Sequence, residues 1–160
     1  MSISKGQRTT IAALSLSAGG LVTMLGYEGY SDHAIIPVPG DKPTIGFGST
    51  KGVKMGQTIT PPAAIARSYR DVQKYEGAIK SCVHVPLYQR EYDAYVDLAY
   101  NIGPYKFCHS TLVVDLNRQD YSGACRQILK FDKFHGRVIK GLTVRRIGEF
   151  EKCIGEDKPS

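Results

Sequence analysis

The chain contains no tryptophan, no C-x-x-C pair, no run of five or more basic residues, no internal repeat and no low-complexity tract. Most of these absences remove a class of protein. Cys82, Cys108, Cys125 and Cys153 stand too far apart for a zinc ribbon or a dithiol redox motif. The basic residues, among them Lys51, Lys54, Arg67, Arg70, Lys74, Arg118, Arg126 and Lys130, are scattered and form no arm that would grip nucleic acid. His33, His84, His109 and His135 lack metal-ligand spacing, and none accompanies a serine elbow, so no metal and no cofactor is expected. The missing tryptophan excludes nothing by itself, because ten tyrosines carry the aromatic content.

What is present suits one globular domain. A chain of 160 residues buries roughly two thirds of the surface its unfolded form exposes. Hydrophobic residues at 42% and charged residues at 22% match a folded protein rather than a disordered or coiled-coil one. Lys and Arg number 21 against 15 Asp and Glu, a net charge of +6, so the surface attracts polyanions. With no basic arm for nucleic acid, the partners favoured are an anionic membrane face and an acidic cell-wall polymer. Four cysteines fit two disulfides in an oxidising compartment, and they also fit four buried thiols in a reducing one.

Lys5 and Arg8 precede a run of nineteen uncharged residues, Thr9 to Tyr27, close to the ~20 that a membrane-spanning helix needs. Its apolar residues (Ile11, Leu14, Leu16, Leu21, Val22, Met24, Leu25) are diluted by Ser15, Ser17, Gly19, Gly20, Thr23 and Gly26. Positive charge followed by such a run can engage the export machinery with the charge left inside. No A-x-A-like cleavage site follows. The other reading is an N-terminal helix packed on the core, and the two can hold in succession.

From Glu28 to Ile59 the chain is rich in Gly and Pro around the short segment Thr44-Ile45-Gly46-Phe47-Gly48, which predicts a small β-hairpin or three-stranded sheet. Thr60-Pro61-Pro62 then reads as a helix start, with Ile65, Tyr69, Val72, Glu76 and Ile79 at helical spacing to about Lys80. A second helix carries Tyr88, Tyr92, Tyr95, Val96 and Ala99 and stops at Gly103-Pro104. Ser110 caps a further helix, Tyr121 to Phe131 forms another, and Thr143 to Cys153 the last. The architecture is a small β-lobe near the start of a mostly helical protein.

Glycoside hydrolysis needs a proton donor at the leaving oxygen and a second group that activates water or attacks the sugar. Glu28 directly follows the apolar run, and the end of a buried helix favours the protonated form that a general acid requires. Spacing alone leaves open that Glu28 is only the first solvated residue after a helix.

Glu28-Gly29-Tyr30 with Pro43-Thr44-Ile45-Gly46-Phe47-Gly48 resembles the E-G … T-I-G-x-G signature of phage lysozymes of glycoside hydrolase family 24, the family of the T-even phage lysozyme. Tyr100-Asn101-Ile102-Gly103 is similar to its F-N-x-G segment, Phe107 to Leu112 to its F-x-x-S-T-L stretch, and Gly141-Leu142 with Arg145-Arg146 to its G-L-x-x-R-R element. The matches keep the family's order over roughly residues 27 to 153. The resemblance implies an α+β, lysozyme-like fold, mostly helical with a small β-lobe flanking the active-site cleft. It implies a monomeric peptidoglycan hydrolase that cuts the β-1,4 bond between N-acetylmuramic acid and N-acetylglucosamine.

By the same resemblance Glu28 is the general acid, Thr44 helps hold the attacking water, and Arg145 is the arginine that pairs with the glutamate, while Tyr30 and Asn101 line the cleft. The aspartate departs from the pattern. Where many family members place it, nine residues after the glutamate or six before the threonine, this chain has Pro37 and Val38. Asp41, in the longer loop, is taken as the base that activates water, and Asp32 is the second choice. A wall-binding module without turnover, a lytic transglycosylase and a DNA-binding protein are the alternatives. Some resembling phage lysozymes carry a signal-anchor-release segment, which implies that residues 1–27 tether the enzyme to the host inner membrane and that 28–160 form a catalytic domain active in the periplasm. Chain order in the family fold also implies the pairings Cys82 with Cys108 and Cys125 with Cys153.

Overall fold

A computed structural model describes residues 6–155; Lys5, the first charge ahead of the uncharged run, lies outside the described residues, as do the outer ends of the two expected segments. The chain divides into two units, one built from the chain up to Gly20 and from Tyr75 onward, the other from Leu21 to Lys74. We call them the helical unit and the β unit.

The β unit begins within α1 (Ala18–Glu28). Gly29 then turns left-handed (φ +68°), a conformation that ends helices because glycine adopts it without a Cβ clash. Strand β1 (Ser31–Ile35) pairs antiparallel with β2 (Thr44–Gly46) in the register Ser31↔Gly46 and Ile35↔Thr44, with an irregularity between. A third segment borders β1 on its other side: the Ala34 N–H donates to the Gln57 carbonyl at 2.9 Å and the Ile59 N–H to the Asp32 carbonyl at 2.8 Å. Of the two expected forms, hairpin or three-stranded sheet, the structure has the two-stranded one, with a single bridge, His33↔Thr58, beside it rather than a third strand. Ala34, Ile45, Val53 and Ile59 make the small core of this unit. Helix α2 (Pro61–Cys82) starts at the expected proline and ends two residues beyond Lys80.

In the helical unit, α3 (Gln89–Ile102) is the centre, with every residue from Glu91 to Tyr100 buried. It is followed by α4 (Pro104–Cys108), α5 (Thr111–Asn117), α6 (Tyr121–Gln127) and α7 (Lys140–Ile154). Tyr92, Tyr95, Leu98, Phe107, Leu112, Leu116 and Ile128 fill the core. A helix buried on all sides cannot leave its carboxylates unpaired, because an isolated charge in a low-dielectric interior is costly. Each one has a partner: Glu91 takes Arg8, Asp93 takes Ser17 and Gln89, and Asp97 takes Arg145.

The uncharged run does not form one helix. A 3-10 turn at Ile11–Ala13 is separated from α1 by an extended stretch whose backbone is bonded to distant side chains. Lys80 Nζ donates to the Leu14 carbonyl, Leu16 N–H donates to Glu76 at 2.6 Å, and Ser17 N–H donates to Asp93 at 3.0 Å. Ser17 Oγ also accepts from the Gly20 N–H at 3.0 Å, which starts α1 there. No helix among the described residues is long and apolar enough to cross a membrane.

Two further departures lie near the C-terminus. The expected helix from Tyr121 to Phe131 gives way after Gln127 to a 3-10 turn at Ile128–Lys130, and a two-residue hairpin, β3 (Lys133–Phe134) with β4 (Arg137–Val138), precedes α7. Disulfides join Cys82 to Cys108 and Cys125 to Cys153, the pairings that chain order implied. The second lies in the core, with the Tyr95 hydroxyl 3.8 Å from Cys125 Sγ and 3.4 Å from Cys153 Sγ.

Candidate active site

Glu28 is the last residue of α1 and half-buried. Its carboxylate lies against the turn that follows β2: a Cβ built on Gly48 would stand 2.8 Å from Glu28 Oε2. Gly48 also has a φ of +79°, so both the backbone conformation and the space select glycine. The turn is closed by paired backbone bonds, Ile45 N–H to the Ser49 carbonyl at 3.0 Å and Ser49 N–H to the Ile45 carbonyl at 3.1 Å. Ser49 Oγ donates to Asp71 of α2 at 2.8 Å, which ties the turn to a rigid element. The glycines of the T-I-G-x-G segment therefore admit protein neighbours, Glu28 at Gly48 and Ala64 at Gly46, where an added Cβ would meet the Ala64 Cβ at 2.9 Å.

Thr44 opens β2 and is half-buried. Ile45 beside it faces the core, so strand alternation turns Thr44 to the opposite face. Tyr30, two residues after Glu28, packs its ring on Phe47 at 5.3 Å between centroids, and its hydroxyl donates to the Ile59 carbonyl at 2.9 Å. It braces the turn as well as presenting surface. Asp41 is exposed in the loop before β2, its N–H bonded to the Val38 carbonyl at 2.9 Å and its carboxylate accepting from the Lys42 N–H at 2.8 Å. Asp32 is 74% exposed and pairs with His33 Nδ1 at 2.6 Å. Asp32 and His33 line a cavity of about 480 Å³ with Thr58, Ile59 and Thr60.

The remaining expected residues belong to the helical unit. Arg145, on α7, is buried and held on two sides: its Nη2 donates to Asp97 at 2.7 Å and its Nε to Glu149 at 3.1 Å. Arg146 reaches Glu149 Oε2 at 3.0 Å and donates from Nη2 to the Asn101 side-chain oxygen at 2.7 Å. Because the Asn101 oxygen accepts from Arg146, its amide N–H groups point elsewhere. Two carboxylates and two guanidiniums thus share one buried cluster. Burial pushes Asp97 up, and it pushes Glu149 up to about 8 against the pull of both arginines.

The sequence reading had Arg145 and Asn101 but not Asp97, Arg146 or Glu149 as parts of one network. The signal was available for one of them, since Glu149 stands four residues after Arg145 and three after Arg146, the spacings that place opposite charges side by side on a helix. Asp97 comes from another helix, and no local spacing announces it.

The family model described as phage lysozyme matches residues 26–149. The chain is 36% identical over 147 residues to an endolysin of Acyrthosiphon pisum secondary endosymbiont phage 1, covering 89% of this chain and 99% of the relative. It is 33% identical to a SAR-endolysin of Pseudomonas phage phiKMV, covering 89% of each. Among solved structures, the muramidase domain of SpmX from Asticaccaulis excentricus superposes with a TM-score of 0.80 at 26% identity, covering 88% of this chain and 97% of that one.

Proposed function

The chain belongs to the phage lysozyme family, and from that membership we propose that it cuts peptidoglycan with Glu28 as the general acid. It is a peptidoglycan-hydrolysing lysozyme, a glycosidase by class. The bond assigned to it is the β-1,4 link from N-acetylmuramic acid to N-acetylglucosamine, as the name of the muramidase neighbour suggests.

The observation that carries the assignment is the seating of the Glu28 carboxylate on the glycine turn of β2, in the same unit as Thr44. A proton donor must be held at a fixed place beside the leaving oxygen, because small misplacements cost large factors in rate. Here the donor ends a helix, the turn that seats it is closed by paired backbone bonds, and Ser49 anchors that turn to α2. Thr44, at the start of β2, is the hydroxyl assigned to hold the attacking water. Asp41, three residues before it, is assigned as the base that draws a proton from that water. Arg145 keeps the supporting role that the resemblance implies, fixed in place by Asp97 and Glu149. Tyr30 and Asn101 contact the glycan in this reading. The run from Thr9 to Tyr27 serves first as a membrane anchor and then leaves the bilayer, delivering the enzyme to the periplasm; likeness to a SAR-endolysin supports this.

The test compares lysis of permeabilised Gram-negative cells by wild type, Glu28→Gln and Asp41→Asn, with mass spectrometry of the released fragments. Hydrated reducing ends and loss of turnover in both variants are expected. Anhydro-sugar ends would make the enzyme a lytic transglycosylase, and wall binding without fragments would make it a binding module. Full activity of Asp41→Asn would move the base to Asp32 or remove it from the mechanism.

A further inference from the structure

Arg8 immediately precedes the uncharged run, yet it is half-buried against the helical unit. Its guanidinium meets Glu91 through both arms of a fork, Nη2 to Oε1 at 2.8 Å and Nε to Oε2 at 3.2 Å. Glu91 is 2% exposed. The same guanidinium lies 3.5 Å from the centre of the Tyr121 ring and 4.4 Å from that of Tyr88, distances at which a cation is drawn to an aromatic face. Tyr121 is fixed by its hydroxyl, which donates to the Pro86 carbonyl at 3.0 Å. The next residue completes the attachment: Thr9 and Leu87 exchange two backbone hydrogen bonds, at 2.8 and 2.9 Å.

Chain order makes this contact conditional if the run is an anchor, as proposed above. While Thr9 to Tyr27 spans a bilayer, Arg8 stands on one side and every residue after the run on the other, with roughly 30 Å of hydrocarbon between. Arg8 and Glu91 then cannot meet. The pair forms only in the released chain, and an interaction present in one of two states biases the equilibrium toward that state.

We propose that Tyr88, Glu91 and Tyr121 form a guanidinium-binding site whose ligand is the chain's own Arg8, and that filling it holds the enzyme in its released form. The fork, the two rings and the backbone bridge act as a latch on the freed segment. Lysine would keep the charge ahead of the run but lose the bidentate fork and the planar stacking.

The experiment uses the full chain expressed in Gram-negative cells, separated into membrane and soluble fractions, for wild type, Arg8→Lys, Glu91→Gln and the double variant. Arg8→Lys leaves the positive charge before the run, so insertion is unchanged. It should shift the partition about tenfold toward the membrane. Glu91→Gln should do at least as much, and the double variant no more than Glu91→Gln alone, because the two changes remove one shared interaction. Soluble Arg8→Lys should clear permeabilised cells at the wild-type rate. Partition of Arg8→Lys equal to wild type, or additive effects in the double variant, overturns the proposal. A wild type that never enters the membrane fraction overturns the anchor reading and the release role with it. Thermal unfolding of the four soluble proteins separates the two failures: non-additive midpoints keep the guanidinium site without the anchor, and additive ones remove the site itself.

Discussion

Substitution of Gly48 by alanine tests the seating of Glu28 with a single methyl group. The new Cβ would stand 2.8 Å from Glu28 Oε2 and 3.4 Å from its Cδ, closer than a carbon can rest beside an oxygen, so the carboxylate must move by several tenths of an ångström. The backbone φ of +79° adds a strain of roughly 1–2 kcal/mol for any residue with a Cβ. Strain alone would lower the unfolding midpoint by about 2–4 °C per kcal/mol in a domain of this size. Displacement of the proposed acid acts on rate instead: a full ångström can cost about a hundredfold, so a shift of several tenths is expected to cost about tenfold, or about 1.4 kcal/mol of barrier. Gly52 supplies the control, because its φ is +70° and nothing lies within 4 Å of where its Cβ would be. Gly52→Ala therefore carries the backbone strain without touching Glu28. Turbidity clearance of permeabilised Gram-negative cells, read beside thermal unfolding, should show both variants similarly destabilised and only Gly48→Ala slow, by about tenfold. Equal activity in the two variants would refute the idea that this turn positions the acid.

Two further outcomes follow from the helical unit. Replacing Cys125 and Cys153 together by serine opens a loop spanning 28 residues, which in the chain-entropy account is worth about 3.5 kcal/mol; calorimetry should find the midpoint lower by roughly 10 °C, and an unchanged midpoint would mean the bridge adds nothing. Burial raises Glu149 to about 8, so the folded state holds a proton that the unfolded chain releases above its ordinary carboxylate range. That contribution is complete at acid pH and is lost as pH climbs toward 8. Wild-type stability should therefore decline between about pH 5 and pH 8, and Glu149→Gln should flatten the decline, read as thermal midpoints across that interval.

Much of the β unit was legible because its signals are local. Gly and Pro bracket the T-I-G-x-G segment, Pro61 starts α2, and the apolar spacing from Ile65 to Ile79 carries that helix nearly to its end. The run from Thr9 to Tyr27 reads as continuous because nothing within it forbids a helix. What breaks it lies elsewhere: Glu76, Lys80 and Asp93, all more than fifty residues away in sequence, bind its backbone between Leu14 and Ser17. Local periodicity cannot contain such information. The hairpin before α7 was missed for another reason. Its strands are two residues long, too short for any alternation, although His135-Gly136 with φ of +48° and +76° forms the tight turn that glycine favours. At the candidate site, motif spacing put forward Glu28 and Arg145 as expectations, whereas the contact of Gly48 with the Glu28 carboxylate and of Asp97 with Arg145 came only from the folded chain.

The carboxylates of α3 have a consequence for anyone who would shorten this protein. Glu91 and Asp93 are satisfied by Arg8 and Ser17, residues in the stretch that a cloning strategy would discard as a mere export tag. Cutting the gene at Glu28 would take from Glu91 its cation and from Asp93 the Ser17 hydroxyl and N–H, leaving them the Tyr88 N–H and the Gln89 amide. In the folded molecule that stretch belongs to the helical unit it helps to hold together.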